Sequence, residues 1–267
     1  MRIRTTLTTL ALLFLLPAEA QERHVIEGRF DVFTTDEIGN VYALRGDELE
    51  LYNSKGASWL RNSVKTFGRI THIDAFYSLK PMVFSPEQGQ IAVLDNTLSL
   101  QGSVMNLSRS GYPQAVLACI SVQNSFWLFD QRDLALVRVD AQFRNLANTG
   151  RLDQLLGISP APTSMQEFDS RLYVNDPNEG ILVFDLFGTY AKTIPLKGVE
   201  SFEVRDGVLY YFSKGQLFIY DMRSFAITEH ALADDLQGKV LEVRVERGRL
   251  YQRTADSIVI DEVVTTH

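Results

Sequence analysis

The chain has 267 residues, of which 45% are hydrophobic, so it is long enough to bury a large core. Its 26 basic and 33 acidic residues give a net charge of −7, and this mildly acidic balance argues against a nucleic-acid or anionic-membrane partner, both of which favour a basic face. The single cysteine, Cys119, excludes an intrachain disulfide, and its apolar surroundings, AVLACISV, predict a small buried side chain rather than a reactive thiol.

Residues 1–20 have the three regions of a secretory signal peptide. Arg2 and Arg4 form the basic start, residues 7–16 form a short apolar stretch, and residues 18–20, Ala-Glu-Ala, form a small-x-small cleavage site. We expect cleavage near Ala20 and a secreted or periplasmic mature chain, residues 21–267, that folds as a single domain. No later segment approaches the roughly 18 apolar residues of a membrane helix, so membrane insertion is not expected.

The mature chain repeats a unit of about 40 residues. One strand-like segment of the unit recurs at Tyr42, Val83, Trp127, Tyr173, Tyr210 and Tyr251. A second strand-like run follows each of these positions and ends in Asn or Asp, at Asn53, Asp95, Asp140, Asp185, Asp221 and Asp261. Because the two sets of positions stay in phase, the chain contains six copies of one structural unit.

The complete unit has four strand-like runs. The first run precedes the recurring aromatic or aliphatic position and reads FDVFTT, ITHIDAFY, AVLACISV, SMQEF, SFEVR or LEVRV. Four strands in each of six units predict an all-β fold, a six-bladed β-propeller with four-stranded antiparallel blades. The one predicted helix is RLDQLLG at 151–157, which Gly157 ends.

The sixth unit lacks its outer strand, because only a short segment follows its third run, IVIDEVV. A spare β-rich segment, RHVIEG at 23–28, precedes the first unit. We therefore expect this N-terminal strand to complete the sixth blade and close the ring, which leaves no long inner edge exposed.

The fourth unit, RLYVNDPNEGILVFDLFGTY at 171–190, concentrates Asp176, Asn178, Glu179 and Asp185 in ten positions. Such oxygen-rich segments bind calcium when several oxygens converge, but the regular alternate-residue spacing of a dedicated calcium loop is missing. Asp185 has a counterpart in every unit, and Asn and Asp at strand ends start turns by bonding their own backbone. The pattern predicts turns and no metal site.

The segment LYVNDPNEGILVFDLFGTYAKTI resembles the repeat of the NHL-type propellers. The positions that carry the resemblance are Tyr173, Val174, Asp176, Asn178, Ile181, Val183, Phe184, Asp185 and Gly188. The resemblance implies a six-bladed propeller. Propellers of this kind include protein-binding modules, nucleic-acid binders, lyases and lactonase-like hydrolases, so the resemblance does not select a function.

One candidate for chemistry lies in the first run of the second unit, ITHIDAFY. Strand alternation places His72 and Asp74 on the same face, toward the central channel of the propeller. As an acid and base, or as part of a metal site, they would indicate a metal-dependent hydrolase or lyase, lactonase-like, with its site in the channel; an ordinary solvated pair is the other interpretation. No established catalytic or nucleotide-binding motif accompanies them.

Binding on a loop face is the favoured interpretation. In a propeller, the loops between second and third strands share one face with the links between blades, and loops on a rigid scaffold commonly carry recognition. The candidate binding residues there are Arg132, Asp176, Asn178 and Glu179. We expect a monomeric, non-catalytic interaction platform of a bacterial cell envelope, without cofactor or metal, whose partner is an envelope protein or a glycan.

Overall fold

A computed structural model describes residues 22–76 and 80–262, which form six four-stranded antiparallel sheets arranged as the blades of a β-propeller. The predicted fold class, the number of blades and the number of strands in each blade are confirmed. The predicted signal peptide, residues 1–20, lies outside the described residues.

Strands are numbered in chain order and named by their distance from the central channel. The inner strands are β2 (Val32–Thr35), β6 (His72–Asp74), β10 (Ala115–Ser121), β14 (Ser164–Phe168), β18 (Ser201–Arg205) and β22 (Glu242–Glu246). The second strands are β3 (Val41–Arg45), β7 (Met82–Ser85), β11 (Ser125–Asp130), β15 (Arg171–Asp176), β19 (Val208–Ser213) and β23 (Arg249–Arg253). The third strands are β4 (Glu48–Tyr52), β8 (Gln90–Val93), β12 (Ala135–Asp140), β16 (Gly180–Asp185), β20 (Gln216–Asp221) and β24 (Ser257–Glu262). The outer strands are β5 (Ser58–Ser63), β9 (Met105–Asn106), β13 (Asn145–Asn148), β17 (Tyr190–Ile194), β21 (Ile227–His230) and β1 (His24–Glu27).

The hydrophobic core is divided into six clusters, and each cluster lies between two neighbouring blades. The second and third strands supply most of these side chains because neighbouring blades cover both of their faces. All six residues of β11, including Trp127, are buried. The outer strand β5 is largely exposed and carries Trp59 on the surface.

The ring is closed as the sequence predicts. Strand β1 pairs with β24 in antiparallel register, from His24 opposite Ile260 to Glu27 opposite Ser257, and so completes the sixth blade. Arg23, just before β1, donates to Asp261 in β24 with an Nε–Oδ1 distance of 2.7 Å. The sixth blade therefore joins two segments that lie far apart in the chain.

The Asn and Asp residues at or just after the ends of the third strands form the predicted turns in five blades. Their side-chain oxygens accept the backbone N–H groups of the residues two and three or four positions ahead, at 2.7–3.0 Å. The five residues are Asn53, Asp95, Asp140, Asp185 and Asp221. The turn prediction is wrong at Asp261, which lies inside β24 and accepts hydrogen bonds from Arg23 and Gln252.

Two smaller predictions are also confirmed. The helix α1 (Leu152–Leu156) lies between the third and fourth blades, and Gly157 ends it with a left-handed φ of 67° and an N–H bonded to the carbonyl of Asp153. Cys119 is fully buried in the cluster between these blades, and burial raises the pKa of its thiol well above the usual value. The thiol is therefore protonated and part of the packing.

Candidate functional site

Two kinds of loop share one end of the ring, here called the upper face. They are the loops between the second and third strands of a blade and the links that lead from one blade to the next. Backbone hydrogen bonds join them: Val64 donates to Asp47 in the first blade, and Gly198 donates to Pro177 beside the fourth blade, both at 2.8 Å. In these places a loop and the neighbouring link are bonded to each other.

Three of the predicted binding residues lie at the surface of the upper face. The Arg132 side chain, in the loop between β11 and β12, is 49% exposed, and its Nη2 lies 2.9 Å from Oδ2 of Asp133. Asn178 is exposed and Glu179 is half-buried in the corresponding loop of the neighbouring blade. These three side chains therefore lie on the upper face of two neighbouring blades.

Asp176 has a different position, because it is completely buried. Its Oδ1 accepts the N–H of Asn178 at 3.0 Å, and its Oδ2 accepts the N–H of Ala161, in the preceding link, at 2.7 Å. Next in the loop, Gly180 has a φ of +117°, and a Cβ there would lie 2.4 Å from the carbonyl oxygen of Ile194. Asp176 therefore fixes the loop and the link, and it presents no surface to a partner, contrary to its proposed role in binding.

The inner strands line a central channel in three layers. Successive side chains of a strand alternate between its faces. In the second, fourth, fifth and sixth blades the side chains at positions one, three and five share one face, and most of them line the channel cavity. The first positions lie nearest the upper face, because the links enter the blades there. The mouth layer contains His72, Ser164, Ser201 and Glu242; the middle layer contains Asp74, Gln166, Glu203 and Arg244; the base layer contains Phe76, Phe168, Arg205 and Glu246.

The middle layer holds neighbouring blades together. Asp74 Oδ2 accepts the N–H of Ile120 in the next blade at 2.8 Å. Two further side chains of this layer do the same for the blades that follow them, with acceptor distances of 2.8 Å: Gln166 binds the N–H of Val204, and Glu203 binds that of Val245. An inner strand has no further strand on its channel side, and these side chains satisfy N–H groups that would otherwise lack an acceptor.

This arrangement gives Asp74 a structural role with a measurable consequence. Replacing Asp74 with Ala should destabilise the protein by about 1–3 kcal/mol, because the N–H of Ile120 loses its acceptor. Asp74→Asn keeps an acceptor oxygen of the same reach and should retain most of the stability. Urea unfolding of both variants and the wild type measures the difference; equal stability of Asp74→Ala and the wild type would contradict the structural role.

His72 lies in the mouth layer on the same strand as Asp74, as predicted, and both side chains line the channel cavity. Burial lowers the pKa of His72 below its ordinary 6.5, with Asp74 opposing the shift, so the imidazole is neutral at pH 7. Within the described residues no hydrogen bond joins the two side chains. The described part of the chain also contains no group of three or more His, Cys, Asp or Glu side chains arranged to hold a metal ion.

The base layer joins residues of several blades. The Arg205 guanidinium lies over the ring of Phe76, with Cζ 4.7 Å from the ring centroid, and faces Phe168 at 5.8 Å. The same group forms ion pairs with Glu203 and with Glu246, the latter at 2.7 Å. Residues from four blades thus meet in the base layer.

Above this layer is a cavity with a volume of about 320 Å³. Its wall on the sixth blade carries a charged group in which Glu242 accepts hydrogen bonds from Arg244 at 3.1 Å and from Arg253 at 3.2 Å. A neighbouring cavity of about 180 Å³ shares His72 and Ser164 with the channel and is otherwise lined mainly by apolar residues of the second, third and fourth blades. The mouth therefore combines polar and apolar walls.

Sequence reasoning did not identify Arg205, Arg244, Gln166 or Glu203 as channel residues. The available signal was the charged or amide side chains inside the inner runs SMQEF, SFEVR and LEVRV, where they alternate with apolar residues as in a half-buried strand.

Among the described residues, no helix is long and apolar enough to cross a membrane.

Comparisons with known proteins identify the fold. No protein-family model matches the sequence, and no curated protein matches it either. Among solved structures, virginiamycin B lyase from Staphylococcus aureus superposes with a TM-score of 0.60 at 10% identity, over 91% of this chain and 100% of that one. A chain of the mitotic checkpoint complex gives a TM-score of 0.63 at 8% identity, over 98% and 99% of the two chains.

A further neighbour is BBS1N, solved in complex with ARL6DN, with a TM-score of 0.55 at 12% identity, over 89% of this chain and 78% of that one. These neighbours include a lyase and chains from protein assemblies, and at such identities the similarity establishes the fold without selecting a function. The chain is a six-bladed β-propeller, in agreement with the NHL-type resemblance of its fourth repeat.

Proposed function

We infer that this protein is a non-catalytic interaction platform of the cell envelope, which binds a partner protein on its upper face. The observation that carries this proposal is the use of the channel acids: Asp74 and Glu203 accept backbone N–H groups of neighbouring blades. Carboxylates committed in this way to structure are not free to act on a substrate. The upper face, in contrast, offers exposed side chains on fixed loops, the usual basis of recognition.

The proposed binding surface consists of Arg132, Asn178 and Glu179. Their loops are fixed from within, because Asp130 and Asp176 accept the N–H groups of Arg132 and Asn178 at 2.9 and 3.0 Å. A loop that is ordered before binding loses little conformational entropy when a partner docks, which favours affinity. The propellers from the BBS1N–ARL6DN structure and the mitotic checkpoint complex support the proposal as examples of this fold within protein complexes.

The location follows from the signal-peptide pattern of residues 1–20. We place the mature chain in the periplasm or outside the cell, and we assign no cofactor or metal to its function. The alternative, a metal-dependent hydrolase or lyase centred on His72 and Asp74, is less well supported, since the carboxylate of Asp74 is occupied by two backbone N–H groups.

Photo-crosslinking in the native host tests the proposal. A photoreactive amino acid at position 178, with the protein folded and exported, should give one dominant adduct with an envelope protein. The double variant Arg132→Glu and Glu179→Lys reverses the local charges and should abolish this adduct. Because Arg132→Glu places a carboxylate beside Asp133 and the buried Asp130, the melting temperature should fall slightly, and circular dichroism checks that the variant is folded.

Arg223→Glu is the matched control, because Arg223 is exposed in a turn between a third and an outer strand. It should leave the adduct intact. If the double variant keeps the full adduct, the assigned surface is wrong. If the dominant adduct is a glycan, the partner is a glycan, the other partner class that the sequence analysis names, and not a protein.

A further inference from the structure

The sixth blade departs from the pattern of the middle layer. In the second, fourth and fifth blades this position is occupied by Asp74, Gln166 or Glu203, each an acceptor for the next blade. In the sixth blade it is Arg244, which can only donate. Its Nη2 binds Glu242, whereas its Nε is buried and has no acceptor within the described part of the chain.

Two serine hydroxyl groups in the mouth layer share this property. The Oγ atoms of Ser164 and Ser201 are buried and lack a hydrogen-bond partner among residues 22–76 and 80–262. Both residues, like Arg244, line the channel cavity. Buried polar atoms in native proteins are nearly always paired, and each exception calls for a reason such as a bound ligand or water. With Thr35 Oγ1, four such atoms belong to residues that line one cavity, and they come from four neighbouring blades. Each is covered in the structure and reaches the cavity by rotation of its side chain, so together they indicate a binding site.

The charges of the cavity wall restrict the ligand. The residues that line it include five carboxylates and three guanidinium groups, so the wall is net negative and disfavours an anion. The unpaired atoms also disfavour a cation, because the N–H of Arg244 Nε needs a hydrogen-bond acceptor and lies in a positively charged guanidinium group. The complementary group is uncharged, accepts a hydrogen bond from Arg244, and both accepts and donates toward the serine hydroxyls.

We propose that the mouth and middle layers of the channel bind one uncharged sugar residue through Arg244, Ser164 and Ser201. Sugar hydroxyls accept and donate at the same oxygen and so match this set. The cavity volume of about 320 Å³ is within the range of small-molecule sites. The site goes beyond the partner surface on the loops and does not depend on it.

Saturation-transfer NMR on the mature chain, residues 21–267, provides the test. The probes are glucose, galactose, mannose and N-acetylglucosamine at millimolar concentrations, with glucuronic acid and glucosamine as charged counterparts. We expect transfer to at least one neutral sugar and weaker transfer to its charged counterpart. Absence of transfer to every neutral sugar would show that only water fills the cavity, and tighter binding of glucuronic acid would show an anion site; either result overturns the proposal.

Substitutions locate the site. Arg244→Met removes the donors and keeps the length of the side chain, and it should weaken the bound sugar by about tenfold or more. Ser201→Ala and Ser164→Ala each remove one hydroxyl group and should weaken binding without loss of the fold, so they also serve if Arg244→Met is poorly folded. The controls Arg109→Met and Ser63→Ala change exposed residues and should bind as the wild type does. Unchanged binding in all three channel variants would place the sugar elsewhere.

Discussion

Replacing Arg205 with Met should destabilise the propeller by about 3–5 kcal/mol, the usual effect of removing one partner from a buried ion pair. The Arg205 side chain is only 11% exposed, and its partners Glu203 and Glu246 are 5% and 8% exposed. Without the guanidinium, these two buried carboxylates lose their shared cation, and so do the rings of Phe76 and Phe168, which contact each other edge to face. Urea unfolding at pH 7.5 measures the loss.

The loss should depend on pH. Burial raises the pKa of Glu246, and Arg205 opposes that shift. A carboxyl group with a raised pKa in the folded state contributes stability that is fully present below its pKa in the unfolded chain and is lost as the pH rises through its pKa in the folded state. Removing Arg205 raises the pKa further, so Arg205→Met should be closer to the wild type at acidic pH, where Glu246 is protonated, than at pH 7.5.

Arg144→Met is the matched control. Arg144 also pairs with a carboxylate, Asp140, at 2.6 Å, but its side chain is 77% exposed. Exposed ion pairs contribute little to stability because water and salt screen them, so Arg144→Met should unfold at the same urea concentration as the wild type. Equal stability of Arg205→Met and Arg144→Met would show that the base layer does not hold the channel together.

The second large effect is expected at the closure of the ring. Ile26→Asp should cost more than about 4 kcal/mol, because it removes a buried aliphatic side chain and buries a carboxylate in its place. Ile26 is 3% exposed, in the cluster between the sixth and first blades, whereas its neighbour Val25 is 44% exposed on the opposite face of the same strand. Val25→Asp should therefore be close to neutral.

Thermal unfolding and size-exclusion chromatography distinguish these outcomes. If β1 detaches in Ile26→Asp, the edge of β24 becomes available and the protein should self-associate, since an uncovered edge strand is a template for pairing. Similar melting temperatures for the two variants would mean that β1 does not hold the sixth blade.

The blade count and the closure of the ring were predictable because each depends on local patterns. A strand and its turn are specified by neighbouring residues, as in the turn after Asp185, where Asp185 accepts the N–H groups of Phe187 and Thr189. The spare strand at 23–28 was recognisable because the last unit lacked one. Both predictions needed only the order of elements in the chain.

The chemistry of the channel was less predictable because its contacts join distant residues. Asp74 and its donor Ile120 are 46 residues apart, so the sequence placed Asp74 in the channel without indicating that the carboxylate is a backbone acceptor. The burial of Asp176 likewise depends on the path of the link that brings Ala161 over it. A repeat pattern predicts which strand a residue belongs to, but a side chain's partner depends on how neighbouring blades approach.

The pairing of β1 with β24 also has a consequence for the order of folding. Five blades are each built from one contiguous stretch of chain, so each can form from contacts that are short in sequence. The sixth requires two strands that lie 236 residues apart, at His24 and Ile260. Until these two strands pair, the folding protein is an open arc whose end strands lack a partner, and unpaired strand edges are prone to aggregation.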